Sequence, residues 1–329
     1  MLILSRSDVA AALDRDRLVE AVAAAMQELS SGVASVPART AARIDAVGGA
    51  LLAMPAYVPG AGALAAKLVC QFPRNPAEHG LPSHVAIIAV FDPTTGMPEA
   101  VMDGEVITAA RTAAGSALSA RLLARPDAAV LAILGTGVQA RAHGQALARV
   151  RALREVRVAG RDNEHAAQLA AELGAELGVP AEAVDGYREA LAGADIVCAC
   201  THSPEPVVRG AWLEPGMHVT SVGVNGDGRE VDGEALARSL VVVESREAAL
   251  SPFPTGSNDL GWAVRDGAIE AGHIHAELGE LVAGTRPGRT SADQITLYKS
   301  VGVAAQDAAA AALVLTAARA AGLGTDVAF

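Results

Sequence analysis

An apolar run, Val130-Leu131-Ala132-Ile133-Leu134, leads directly into Gly135-Thr136-Gly137-Val138-Gln139-Ala140, and the residues after it keep helical spacing. A glycine turn of this type says little alone, but between a buried strand and a helix it acquires a mechanism. Gly135 permits the tight turn, and Gly137 lets the backbone approach a pyrophosphate. Ala140 is small enough for the helix to pack close to the sheet, and the helix N-terminus faces the anion. A dinucleotide-binding unit is therefore expected, with cofactor contacts at Gly135, Gly137, Val138 and Gln139, and with Thr112 and Thr201 completing the set.

The surrounding pattern extends this unit into a domain. Val156 to Ala159, Asp195 to Cys200, Val219 to Val222 and Leu240 to Val243 read as strands, and Glu164 to Leu177 as a helix. Strands alternating with helices predict an α/β fold, a Rossmann doubly wound parallel sheet over residues 126–299. The chain before it reads differently. Val9 to Leu29 has helical spacing and stops at Ser30-Ser31-Gly32. Val36 to Ile44, Leu51 to Met54, Leu64 to Phe72 and Val85 to Phe91 read as strands, and Asp92-Pro93-Thr94-Thr95-Gly96 as a hairpin turn. Glu105 to Leu123 is a long helix, and a last helix over about Ser300 to Ala320 is expected to pack back on the first domain. Residues 1–125 and 300–329 are thus expected to form a second, α+β domain.

With 329 residues the chain can bury two full cores. Its net charge of −11 argues against a nucleic-acid partner, because neutralising phosphates needs a basic surface. Residues 46–66 carry no charge, but four glycines with Pro55 and Pro59 interrupt them, so no membrane span is expected. Cys70, Cys198 and Cys200 support neither a disulfide framework nor a metal site. The start, Met-Leu-Ile-Leu-Ser-Arg, lacks the pattern of a signal peptide, and a cytoplasmic location is expected.

An anionic substrate must then be held by local cations. Lys67 lies mid-strand in Leu64-Ala65-Ala66-Lys67-Leu68-Val69-Cys70, and Arg111 interrupts an apolar stripe formed by Ile107, Ala114, Leu118 and Leu122. Arg39 and Arg43 are four apart on a presumed strand and share a face. Singly each reads equally well as a structural cation; together they suggest a carboxylate clamp. At the end of the second Rossmann strand, Gly160 stands where an acid usually bonds the ribose hydroxyl, and Arg161 follows. A guanidinium suits a 2′-phosphate, so NADP (as NADPH) is favoured; NAD is the alternative if Asp162 is a displaced ribose acid rather than a helix cap.

These residues carry a likeness. Val101 to His143, with RTAA followed by LGTGVQA, resembles the ornithine cyclodeaminase/mu-crystallin family, as do Met54 to Tyr57, Lys67 to Val69, Pro82 to His84, Ala276 to Glu280 and Thr290 to Gly302. The resemblance implies a homodimer joined through the first domain's sheet, NAD(P) on the second domain, and a small α-imino or α-amino acid substrate. It also implies that Arg39, Lys67 and Arg111 are the carboxylate-binding and catalytic cations. Arg39 is preferred to Arg43 because Val36-Pro37-Ala38-Arg39-Thr40 resembles the mu-crystallin branch. Reducing a C=N carbon needs the carboxylate fixed and a proton donor for nitrogen. Lys67 suits the second task, and His84 is an alternative. Where the cyclodeaminase branch carries an aspartate thought to act as base, this chain has Asn225, with Asp227 two residues on. An amide cannot take that proton. The expected activity is an imine reductase or amino-acid dehydrogenase; the alternatives are a cyclodeaminase and a cofactor-binding protein without turnover.

Overall fold

The computed structural model describes residues 1–328. The chain divides into two compact units, one formed by Met1–Arg111 together with the chain from Gly302 onward, the other by Thr112–Val301. The division falls inside one helix, Gly104–Leu123.

In the first unit a seven-stranded sheet runs in the order Thr325–Asp326, Leu2–Leu4, Pro98–Asp103, His84–Phe91, Ala63–Gln71, Gly49–Val58, Thr40–Ile44. Leu2–Leu4 lies parallel to Pro98–Asp103, and the other pairings are antiparallel. The period of two decides which face is covered. Leu52, Met54, Ala56, Val58, Ala86, Ile88 and Val90 are buried, while Leu51, Tyr57, Val85 and Ile87 on the alternate positions stay exposed. On the covered face lies the helix Ala304–Ala321, which packs on Gly49–Val58, Ala63–Gln71 and His84–Phe91 and against the helix Arg15–Ser30. Its alanines favour the helix and, being small, let its backbone lie close to the sheet.

Three of the boundaries that differ from the sequence pattern have a local cause. The helical stretch predicted over Val9 to Leu29 is two helices, Arg6–Ala12 and Arg15–Ser30. The break comes at Asp14, whose side chain accepts from Asp16 N and Arg17 N and so starts a new helix. The strand predicted from Val36 begins only at Thr40, after Pro37, which has no N–H to give a ladder. The last helix starts at Ala304 rather than Ser300, because Gly302 takes a left-handed turn at φ 71°.

The second unit has eight strands, all parallel, in the order Ile274–Glu277, Ser239–Val243, Ile295–Lys299, His218–Ser221, Ile196–Ala199, Val130–Leu134, Glu155–Ala159, Ala181–Ala183. Every residue of Val130–Leu134 is buried, as a parallel strand covered on both faces requires. Each large aliphatic side chain there contributes about 1.5–3 kcal/mol by leaving water. From Val130–Leu134 the chain moves outward to Ala181–Ala183, then returns to the other side at Ile196–Ala199. The strand order reverses at the carboxyl ends of Leu134 and Ala199, where such sheets form their ligand crevice. No described helix is long and apolar enough to cross a membrane.

Candidate functional site

At the reversal point the glycine turn has the form an anion needs. Gly135 sits at φ 114°, and a Cβ there would lie 2.7 Å from the carbonyl oxygen of Cys200, so only glycine fits between the two strand ends. Gly137 is the N-cap of the helix Val138–Leu147, makes no side-chain cap, and faces open space. The first N–H groups of that helix are therefore left for a ligand. Val138 is 75% exposed although apolar, and Gln139 Oε1 is buried without a hydrogen-bond partner. An orphaned acceptor beside a bare helix N-terminus fits a bound dinucleotide better than a ligand-free turn.

Around the second strand end, a Cβ on Gly160 would meet Thr136 Cγ2 at 2.7 Å, which excludes the usual acidic side chain from that position. Arg161 is exposed. Asp162 caps the helix Asn163–Leu177, accepting from Glu164 N at 2.9 Å and His165 N at 3.0 Å, so this carboxylate already has a structural task. On the other side of the turn, Thr201 is held by Glu230, whose Oε1 accepts from Thr201 N at 2.5 Å and from Thr201 Oγ1 at 2.8 Å. Glu230 Oε2 accepts from Ser221 Oγ and Gly223 N, so one buried carboxylate ties two strand ends together. Behind them Lys299 donates to Ser221 Oγ at 2.9 Å and Gly223 O at 2.7 Å, and pairs with Asp259 at 2.9 Å. Thr112 is buried on the helix Gly104–Leu123.

The first unit gathers the basic residues. Alternation along Ala63–Gln71 puts Lys67 on the same face as Ala63 and Ala65, toward the alanine helix, and its side chain is 3% exposed. Its Nζ lies 2.8 Å from Asp307 Oδ2. Arg111 donates from Nε to Asp307 Oδ1 at 2.9 Å and from Nη1 to Gln306 Oε1 at 2.9 Å. Arg39 donates from Nη2 to the carbonyl of Gly302 at 2.5 Å. Burial pushes Lys67 down to about 8, with Asp307 opposing the fall and Arg111 and Arg39 adding to it. Burial works against ionising Asp307, yet Arg111 and Lys67 hold its carboxyl below the ordinary range. The charged groups acting on Lys67 are one carboxylate and two guanidinium groups, which leaves an excess of positive charge around a buried ammonium. Chemically that is a seat for a carboxylate, with one group able to exchange a proton near neutral pH.

Residues 1–322 match the family model described as ornithine cyclodeaminase/mu-crystallin family. This chain belongs to that family. Among curated relatives, the ketimine reductase mu-crystallin of Mus musculus is 37% identical over 297 residues, 90% of this chain and 89% of the relative. Among solved structures, the Delta(1)-pyrroline-2-carboxylate reductase of Thermococcus litoralis, in complex with NADH and L-proline, superposes with TM-score 0.95. It is 41% identical and the match covers 99% of this chain and 100% of the other. An archaeal alanine dehydrogenase dimer with bound NAD matches at TM-score 0.93 and 32% identity, covering 100% and 99%.

In this family member the residues singled out in the sequence fall into distinct places. Arg39 and Arg111 both act electrostatically on Lys67, whereas Arg43 is exposed on Thr40–Ile44 and outside that set. His84 is exposed at its strand's start, with Nδ1 against Ser83 Oγ. Both ends of the Asn225 amide are occupied: its Nδ2 donates to His202 O in the loop after Ile196–Ala199 and its Oδ1 accepts from Asp227 N, both at 2.8 Å. Asp227 itself is exposed. Sequence reading missed Asp307, Gln306, Glu230 and Lys299. Only Gln306-Asp307 left a signal, as a polar pair in an otherwise apolar first half of an alanine helix.

Proposed function

We propose that this protein reduces a small cyclic α-imino acid, a ring C=N bearing a carboxylate on the imine carbon, with NADPH as the preferred donor. It is a nicotinamide-dependent oxidoreductase acting on imine or amino groups, as its relatives are. The observation that carries the substrate class is the excess of positive charge where buried Lys67 and Arg111 share the single carboxylate of Asp307 and half-buried Arg39 adds a third cation acting on Lys67. Arg111 and Arg39 hold the substrate carboxylate, because guanidinium groups stay charged and fix an anion's orientation. Lys67 delivers the proton to the imine nitrogen, since it alone of these cations can release one. The bound dinucleotide supplies the hydride, and Gly135, Gly137, Val138, Gln139, Thr112 and Thr201 hold it. Arg161 takes the 2′-phosphate, supported by Gly160, which leaves no acid to repel it. Net reduction is favoured over deamination because Asn225 has both ends of its amide engaged and cannot serve as a base.

The experiment is to supply purified protein with NADPH and either a five- or six-membered cyclic α-imino acid or ornithine. Stoichiometric NADPH oxidation with the imino acid, and no proline or ammonia from ornithine with catalytic cofactor, is expected. Sustained proline formation from ornithine would overturn the assignment and point to Asp227. We also propose a homodimer through the exposed sheet face of Leu51, Tyr57, Val85 and Ile87, too large an apolar set to leave in water. Sedimentation at the mass of a single chain would refute it.

A further inference from the structure

We propose that Asp307 is the positioning residue of the reaction, a shared carboxylate that aims Lys67 and Arg111 and keeps Lys67 in its charged, proton-donating form. This rests on the reading of Lys67 as proton donor. The geometry points to it from several sides. Asp307 is buried in the first turn of the helix Ala304–Ala321, where the helix dipole favours a negative charge. Its two oxygens are divided between two cations, Oδ1 with Arg111 Nε and Oδ2 with Lys67 Nζ. The neighbouring Gln306 takes a second N–H of the same guanidinium. Just upstream, Gly302 has no Cβ that could collide with Arg111, since one would lie 2.9 Å from Nη1, and its carbonyl accepts from Arg39. One short segment, Gly302 to Asp307, thus organises all three cations. Lys67 is faced by Arg111 from the helix Gly104–Leu123, by Asp307 from the alanine helix, and by Arg39 from the stretch before Thr40. Its cross-strand neighbours Met54 and Ile88 carry no charge.

Removing the carboxylate leaves the arginines charged, because they cannot shed a proton. Lys67 can, so it would become neutral at neutral pH. The charge met by a substrate is then almost unchanged: one negative charge and one positive charge are lost together. Substrate binding at pH 7 should survive while the proton donor is gone. A residue that merely supported the fold would not separate the two in this way.

The chain's only lysines are Lys67 and Lys299, so a label on lysine Cε gives two NMR signals in the whole protein, with Lys299 as internal control. In the wild type the Lys67 signal should titrate near pH 8. In Asp307→Asn it should titrate lower by about two pH units or more, within the range expected for losing a close opposite charge. In steady-state imino-acid reduction, kcat at pH 7 should fall at least about tenfold with KM changed less than about threefold, and the alkaline loss of activity should move to lower pH. Asp307→Glu, which keeps the charge, should return both the titration and the pH profile toward wild type. Identical Lys67 titrations in wild type and Asp307→Asn overturn the proposal, as does a Glu variant whose Lys67 titrates far below wild type. Wild-type protein that fails to oxidise NADPH with any imino acid would refute the functional reading instead, and the two titrations would still decide whether Asp307 governs Lys67.

Discussion

Two buried lysines, one in each unit, show how the same side chain is fitted for different tasks. Lys299 ends a central strand of the parallel sheet and is surrounded by oxygen: Ser221 Oγ, Gly223 O and the Asp259 carboxylate. An ammonium has three N–H donors, so these acceptors account for all of them. Asp259 is likewise occupied, accepting from Val231 N and Ser257 Oγ. Lys67 lies mid-strand in the other unit, where its carboxylate is shared with Arg111 and its remaining charged neighbour, Arg39, repels it. The first arrangement gives the ammonium a full set of acceptors and ties it to Ser221 and Gly223 beside the glycine turn. The second leaves a proton loosely held, at about 8, where chemistry can use it. Burial is common to both lysines; the supply of acceptors is what distinguishes them, and the proposed role of Lys67 rests on that difference.

The largest effect that could break this contrast is on stability. Lys299→Met leaves Asp259 as a buried carboxylate without its cation and should destabilise the protein by about 3–5 kcal/mol. Denaturant unfolding measures it, and a loss below about 1 kcal/mol would show that Lys299 is not the structural member of the pair. Lys67→Met should do the reverse. Arg111 still compensates Asp307, so unfolding should change less than for Lys299→Met, while turnover falls by at least ~10²-fold, or about 3 kcal/mol in barrier. Wild-type turnover in that variant would remove Lys67 from the chemistry. The smallest effect sharpens the comparison at the rim of the second unit, where an exposed cation acts on binding alone. Arg161→Ala should weaken NADPH about tenfold, roughly 1.4 kcal/mol, and leave NADH nearly unchanged. Fluorescence titration of both cofactors tests it, and equal wild-type affinities would count against NADPH preference.

The sequence by itself determined most of the second unit. A fully apolar strand followed by Gly135 and Gly137 and then by helical spacing has few ways to fold, because each part of that pattern depends only on near neighbours. The helix starts after Asp14 and Gly302 in the first unit depend on a cap and a left-handed turn, which the hydrophobic spacing does not show. Lys67 and Arg111 were legible as charges in apolar places, since a buried cation interrupts a pattern that depends only on near neighbours. What neutralises them was not. Asp307 stands 240 residues from Lys67 and 196 from Arg111 in the chain, and Asp259 stands 40 from Lys299. Coulomb energy follows distance in space and the dielectric around the pair, and neither is written in sequence spacing. Only the tertiary structure, by laying the alanine helix on the sheet and turning the chain at Gly302, decided which lysine was fully compensated and which was left with a proton to give.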